Sequence, residues 1–84
     1  MMTTTVIDDP IEVLASFTAA GLRPLRFKWQ GRSYTIQQIN GRWLDRREEA
    51  EHHHYSVQIH NTTFFLHLAC RTMQWRLDEV TVGD

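Results

Sequence analysis

Between Leu25 and Ile36 apolar and polar side chains alternate. Leu25, Phe27 and Trp29 fall on one side and Arg26, Lys28 and Gln30 on the other, the pattern of a strand with one buried face. Gln30-Gly31 supplies a turn, because glycine takes the positive φ that a tight hairpin demands, and Tyr34 and Ile36 resume the inward face on the return. Ile39 falls out of phase, which predicts a bulge or the end of regular pairing near Gln37-Gln38. Asn40-Gly41 reads as the next turn, followed by the short apolar pair Trp43-Leu44. Asp45 to Glu51 is a charge run without apolar anchors, and its composition predicts a solvated loop or one turn of helix.

Alternation returns at His54. Tyr55, Val57 and Ile59 point inward, Asn61-Thr62 reads as the turn, and Phe64, Leu66, Leu68 and Cys70 form the inward face of the partner strand. Thr72-Met73-Gln74 makes a further connection. The last strand sets Trp75 and Leu77 toward the core and reaches Val80 and Val82 through a second slip of phase.

The segment from Asp9 to Leu22 reads two ways. As a helix it has Asp9 as N-cap, Pro10 at the first helical position, Glu12 at the third and Gly21 at the C-terminal cap, with Ile11, Leu14, Ala15, Thr18 and Leu22 as the buried stripe. As a strand, Ile11, Val13, Ala15 and Phe17 alternate against Glu12, Leu14 and Ser16, and Thr18-Ala19-Ala20-Gly21 makes the turn. Local signals lean slightly to the helix. Residues 1–8, polar and threonine-rich, read as a flexible tail ahead of a single β-domain over residues 9–84. With short turns and no βαβ spacing, the expected fold is all-β, a small antiparallel meander of about five or six strands curled into a barrel-like sheet that covers its own edges. An α+β fold is the alternative if residues 10–20 are helical.

Composition narrows this picture. A chain of 84 residues has room for one domain, and a domain of that size hides only about two thirds of the surface its unfolded chain exposes, so its core must be dense. Hydrophobic residues make up 42%, with three Trp, four Phe and two Tyr, and each large side chain fully buried contributes about 1.5–3 kcal/mol. Cys70 is the only cysteine, which excludes an intrachain disulfide and a Cys-based metal cluster and fits a reducing, cytoplasmic setting. The stretch Met1 to Thr5 lacks the basic start and apolar run of a secretory signal, and no segment approaches the ~18 apolar residues of a bilayer span, so a soluble protein without a membrane partner is expected.

Charge is unevenly distributed behind a net value of −1. Arg23, Arg26, Lys28, Arg32, Arg42, Arg46 and Arg47 occupy the middle with only Asp45 to oppose them. Asp8, Asp9 and Glu12 precede this block, and Glu48, Glu49, Glu51, Asp78, Glu79 and Asp84 follow it.

The run Phe27-x-Trp29-x-Gly31-Arg32-x-Tyr34, with Pro10-Ile11-Glu12-Val13 and Pro24 before it and Trp43, Tyr55-Ser56-Val57 and Trp75-Arg76-Leu77 after it, resembles a small bacterial domain family of unknown function. Members of that family also occur beside or fused to catalytically degenerate Y-family DNA polymerase-like proteins of damage tolerance. The resemblance covers most of residues 10–82 and implies that Ile11 to Phe17 is an opening strand. Two features depart from it. The family favours an acidic or tyrosine-rich strand where this chain has Phe64-Phe65-Leu66-His67, and the triple histidine His52-His53-His54 lies outside its pattern.

The histidines are the first candidate chemistry. With Asn61-Thr62 as the turn, His60 opposes Thr63, Gln58 opposes Phe65, Ser56 opposes His67 and His54 opposes Ala69, which makes His54 and His67 diagonal neighbours roughly 7–8 Å apart. With His52 two residues back, three imidazoles meet, the ligand type of a zinc site. The bland alternative is a row of solvated polar residues, since no Asp or Glu stands where it would orient the rings. Five histidines would still carry the net charge from −1 toward +4 in mild acid, so solubility or self-association should respond there. Cys70 opposes His53 in the same scheme, but among Phe64, Leu66 and Leu68 a thiol stays protonated and inert. Paired carboxylates, a glycine-rich phosphate loop, Gly-x-Ser-x-Gly and His-Glu-x-x-His are all missing, so no enzymatic activity and no cofactor are expected.

The basic block is the better lead. Arg26 and Lys28 project opposite the core, and Arg32 and Arg42, with Arg46 and Arg47, would continue that face toward phosphates or an acidic protein. A pI of 6.5 lies far from the basic values of dedicated nucleic-acid binders, which favours a protein partner. The expected function is a non-catalytic binding or adaptor module for protein–protein interaction, within DNA-damage tolerance on the resemblance. Weak nucleic-acid binding through Arg26, Lys28, Arg32 and Arg42 is the alternative, and metal binding by His52, His54 and His67 is a third.

Overall fold

The structure is a computed structural model that describes residues 2–47 and 49–83. Met1, Glu48 and Asp84, the last two counted above among the flanking acids, lie outside the described residues. The strands are β1 (Thr3–Thr18), β2 (Gly21–Trp29), β3 (Arg32–Thr35), β4 (Gln38–Arg47), β5 (Ala50–Ile59), β6 (Thr62–Ala69) and β7 (Gln74–Val82). They form one antiparallel sheet of seven strands in the order β3-β2-β1-β7-β6-β5-β4. The fold is all-β, and the described residues contain no helix.

β1 organises the sheet. Its residues Thr3 to Ile11 pair with β7 and its residues Glu12 to Thr18 pair with β2. One long strand therefore serves two neighbours in succession, and the sheet bends where it changes partner. The polar stretch that reads as a tail opens this strand: Thr3, Thr4, Thr5 and Val6 pair with Val82, Thr81, Val80 and Glu79. Threonine is β-branched and suits a strand whatever its polarity, and Thr4 Oγ1 lies 2.9 Å from Thr81 Oγ1. The helix signals at Asp9-Pro10 are overruled because Asp9 has another use. Its carboxylate accepts the Trp29 Nε1 hydrogen bond at 3.0 Å and ties β1 to β2.

The opposite end of the order is joined by a single crossing of the chain. Ile36 N donates to Leu25 O of β2, and the next residue, Gln37 N, donates to Gln58 O of β5, each at 3.0 Å. Two adjacent residues thus touch the two arms of the sheet, and the phase break expected near Gln37-Gln38 is this corner. The ladder nevertheless does not close into a barrel. β3 covers only Arg26 to Trp29 of β2, and Gly21 to Arg23 face Ile39 to Arg42 across a polar groove. Pro24 offers no N–H on this part of β2. Tyr55 bridges the interior instead, its hydroxyl donating to the Leu22 carbonyl at 3.0 Å.

Phe27, Tyr55, Val57, Phe64, Leu66 and Leu77 form the buried core, with Leu68 beside them. Phe27 stacks on Tyr34 with ring centroids 5.1 Å apart. The inward faces expected for Phe27, Trp29, Tyr34, Tyr55, Val57, Phe64, Leu66, Leu68, Trp75 and Leu77 are those of the structure.

The departures are local. Register shifts opposite Leu14/Ala15, so Pro24 takes the inward place and Leu25 turns out, 40% exposed. Asn40-Gly41 is no turn but a bulge inside β4, opposite Val57 and Ser56. The charge run expected to be a loop or helical turn continues β4 through Arg47 and opens β5 at Ala50, with Asp45 opposite His52 and Arg46 opposite Glu51. Charged pairs hold this hairpin where apolar anchors are missing: Arg46 Nη2 donates to Glu51 Oε1 at 2.9 Å and Arg47 Nε to Asp45 Oδ2 at 2.6 Å.

Candidate functional site

The β5–β6 hairpin turns at His60-Asn61, with Ile59 opposite Thr62. His60 carries the positive φ of 53°, which leaves the β-branched Thr62 in the strand and lets Asn61 O accept from Gly83 N. Every pair expected from an Asn61-Thr62 turn therefore slides by two residues. Faces are kept, but partners change: His54 stands directly opposite His67, not diagonal to it, and His52 opposes Ala69.

His52, His54 and His67 all project from the outer face. Ring centroids are 5.3 Å apart for His54 and His67, and 5.6 Å for His52 and His67. A carboxylate does orient one of these rings, that of His67, contrary to the sequence expectation. Register in β7 skips Asp78 between Leu77 and Glu79, and the bulge turns that side chain to the histidines. His67 Nδ1 donates to Asp78 Oδ1 at 2.7 Å, and His54 Nδ1 lies 4.0 Å from Asp78 Oδ2. Because a carboxylate only accepts, this tautomer puts the His67 hydrogen on Nδ1. His54, Nε2 3.7 Å from Asp45 Oδ2, stacks on Trp43 at 5.3 Å with the rings 3° from parallel. The stack buries it, and Nε2 is left without a hydrogen-bond partner, a deficit of about 1–3 kcal/mol for a buried polar atom. Burial first, and the neighbouring His67 second, hold His54 below the usual histidine range against the pull of Asp78 and Asp45.

The inner side of the same strands opens at one end of the sheet. There Phe17, Leu22, Leu44, Tyr55, Leu68 and Met73 line a largely apolar groove of about 580 Å³. Phe17 is 82% exposed, Met73 69% and Leu44 55%, and Trp43 stands at the rim. The β1–β2 hairpin supplies Phe17 and Leu22 to the groove, β4 Leu44, and the turn at residues 70–73 Met73. His53 and Cys70 lie in the wall, with Glu51 behind them. Burial, then Glu51, raises the Cys70 thiol above its ordinary value.

The four expected basic residues do not share one face. Arg26 and Lys28 project outward, where Lys28 stands opposite Glu12 and Arg26 opposite Leu14. Arg32 is paired with Trp29, and Arg42 with Tyr55, so both belong to the other face of their strands. Arg42 borders the open seam near Gly21. Arg46 and Arg47 are taken up by Glu51 and Asp45.

A domain family described as DUF6504, a domain of unknown function, matches residues 2–81. The chain belongs to this family. Neither a curated protein nor a solved structure matches the chain. The match begins at Met2, so the DUF6504 domain takes in the threonine-rich stretch that pairs with β7.

Two residues of the DUF6504 domain's outer cluster escape a reading by alternation. Asp78 was signalled only by the slip of phase between Leu77 and Val80. Asp45 becomes visible once Trp43 and Asp45 are read as outward positions of a strand that continues through the charge run. Among the described residues no helix is long and apolar enough to cross a membrane.

Proposed function

We propose that this DUF6504 domain is a non-catalytic binding module whose open end receives apolar side chains of a protein partner. One observation carries the reading: Phe17, Leu44 and Met73, each more than half exposed, converge with Trp43 on a single apolar groove. Contiguous exposed apolar surface of this kind marks interaction sites on soluble domains, and an aromatic anchor beside a pocket is the usual energetic centre of an interface. On the resemblance to domains associated with Y-family polymerase-like proteins, the partner belongs to bacterial DNA-damage tolerance. The lone free thiol, Cys70, suits a cytoplasmic setting.

The test is affinity purification with the wild-type domain and with the double variant Phe17→Ser/Leu44→Ser. Both positions are exposed, so the variant should fold with its unfolding free energy changed by no more than about 1 kcal/mol. A partner recovered by the wild type and lost with the variant supports the module; equal recovery by both overturns it. The nucleic-acid alternative rests on Arg26 and Lys28, which do share the outer face of β2. It requires salt-sensitive binding of labelled single-stranded DNA that Arg26→Ala/Lys28→Ala removes.

A further inference from the structure

We propose that His54, His67 and Asp78 form a binding site for a divalent transition-metal cation of the zinc class on the outer face of the sheet. One ligand atom from each residue lies within 4.8 Å of the other two. Imidazole nitrogen with carboxylate oxygen is a ligand set that zinc accepts, and three protein ligands leave a fourth position to water. His52, the third histidine of the sequence pattern, gives way to Asp78.

The spacing suits a cation. Tetrahedral zinc with bonds of ~2.0–2.2 Å sets its ligand atoms about 3.3–3.6 Å apart. The distances from Asp78 oxygens to His67 Nδ1 and His54 Nδ1 are 2.7 and 4.0 Å, one below that range and one above it. Rotation of the Asp78 carboxylate, which is 31% exposed, evens them, and the other neutral tautomer of His67 frees Nδ1 for the metal. Three adjacent strands, β5, β6 and β7, each supply one ligand. The ladder holds their spacing before any cation arrives.

The surroundings support the ligands. Asp45 lies on the far side of His54, its Oδ2 3.7 Å from Nε2, beyond hydrogen-bond reach but on the side where an orienting carboxylate belongs. Trp43 fixes the ring plane. A second convergent trio, Glu51, His53 and Cys70, exists on the inner face. It is the weaker candidate, because Glu51 is engaged by Arg46 at 2.9 Å.

Titration calorimetry of the untagged full chain with Zn²⁺ tests the site, with Co²⁺ absorption as a second readout. The expected result is one Zn²⁺ per chain, with affinity weakened at least about tenfold by His67→Gln and by Asp78→Asn and retained in His53→Ala and Cys70→Ser. Co²⁺ should show a low-coordinate visible spectrum without thiolate charge transfer. The proposal is overturned by the lack of saturable binding to the wild type, by affinity that His67→Gln and Asp78→Asn leave unchanged, or by a thiolate band. Circular dichroism checks that each variant is folded, and if Asp78→Asn does not fold, His67→Gln and the Co²⁺ spectrum carry the decision.

Discussion

Tyr55 is 2% exposed, yet its hydroxyl finds the Leu22 carbonyl across the interior. That bond satisfies a carbonyl of β2 on the stretch that no further strand covers, and it holds the two arms of the bent sheet together. Tyr55→Phe keeps the ring and removes the bond, so urea denaturation should show a loss of about 1 kcal/mol. Burial, the leading cause, raises the Tyr55 hydroxyl above its ordinary value of 10.0. In alkali the unfolded chain therefore ionises first and the folded chain holds the extra proton, so stability falls as pH rises above about 10. The fall should be shallower in Tyr55→Phe than in the wild type. Alternation placed Tyr55 inward; it gave no sign of the hydroxyl's partner, which comes from a strand 33 positions away in sequence.

At the scale of elements, β1 shows why polarity misleads. Thr3 to Val6 bury little, and Val6 is 78% exposed, so no apolar pattern marks them as a strand. They are held by the backbone ladder to β7 and by the contact of Thr4 with Thr81. Deleting residues 1–6 strips β7 of that partner and exposes an unpaired edge. The shortened chain should unfold at lower urea concentration and self-associate in sedimentation; an unchanged midpoint would mean that the stretch is a tail in practice. The Asp45–Glu51 hairpin carries the same lesson. One ion pair across the strands, Arg46 with Glu51, and one along β4, Arg47 with Asp45, decorate the ladder in what composition assigned to a loop, whereas the hairpin at Gln30-Gly31 was legible because both residues take positive φ, 51° and 77°, and glycine announces such a turn.

The whole molecule is an open sheet bent on itself, with its most deeply buried side chains, Val57, Leu66 and Leu77, on the adjacent strands β5, β6 and β7. Leu66 and Leu77 are fully buried there and stand opposite one another. β3 pairs on one side only, at the end of the order. Native-state hydrogen exchange should accordingly protect Leu66 and Leu77 amides most and those of β3 least; equal protection would indicate an arm that closes more fully than the ladder does. The apolar mouth lies at one end of this open sheet, where Phe17, Leu44 and Met73 are each more than half exposed.

The sequence by itself determined the class, most strands and nearly all of the inward faces. Burial on one side of a strand imposes a period of two, and that period is local. It carried Phe27, Tyr55, Val57, Phe64, Leu66 and Leu77 to the core without reference to any neighbour. Tertiary structure decided the rest. Whether Asn40 makes a turn or a bulge, whether His60-Asn61 or Asn61-Thr62 reverses the chain, and where Asp78 points all depend on which strand lies alongside, since the local alternatives differ by little free energy. The meeting of His54, His67 and Asp78 and the gathering of Phe17, Leu44 and Met73 follow from those choices, so both candidate sites appear only once the register is known.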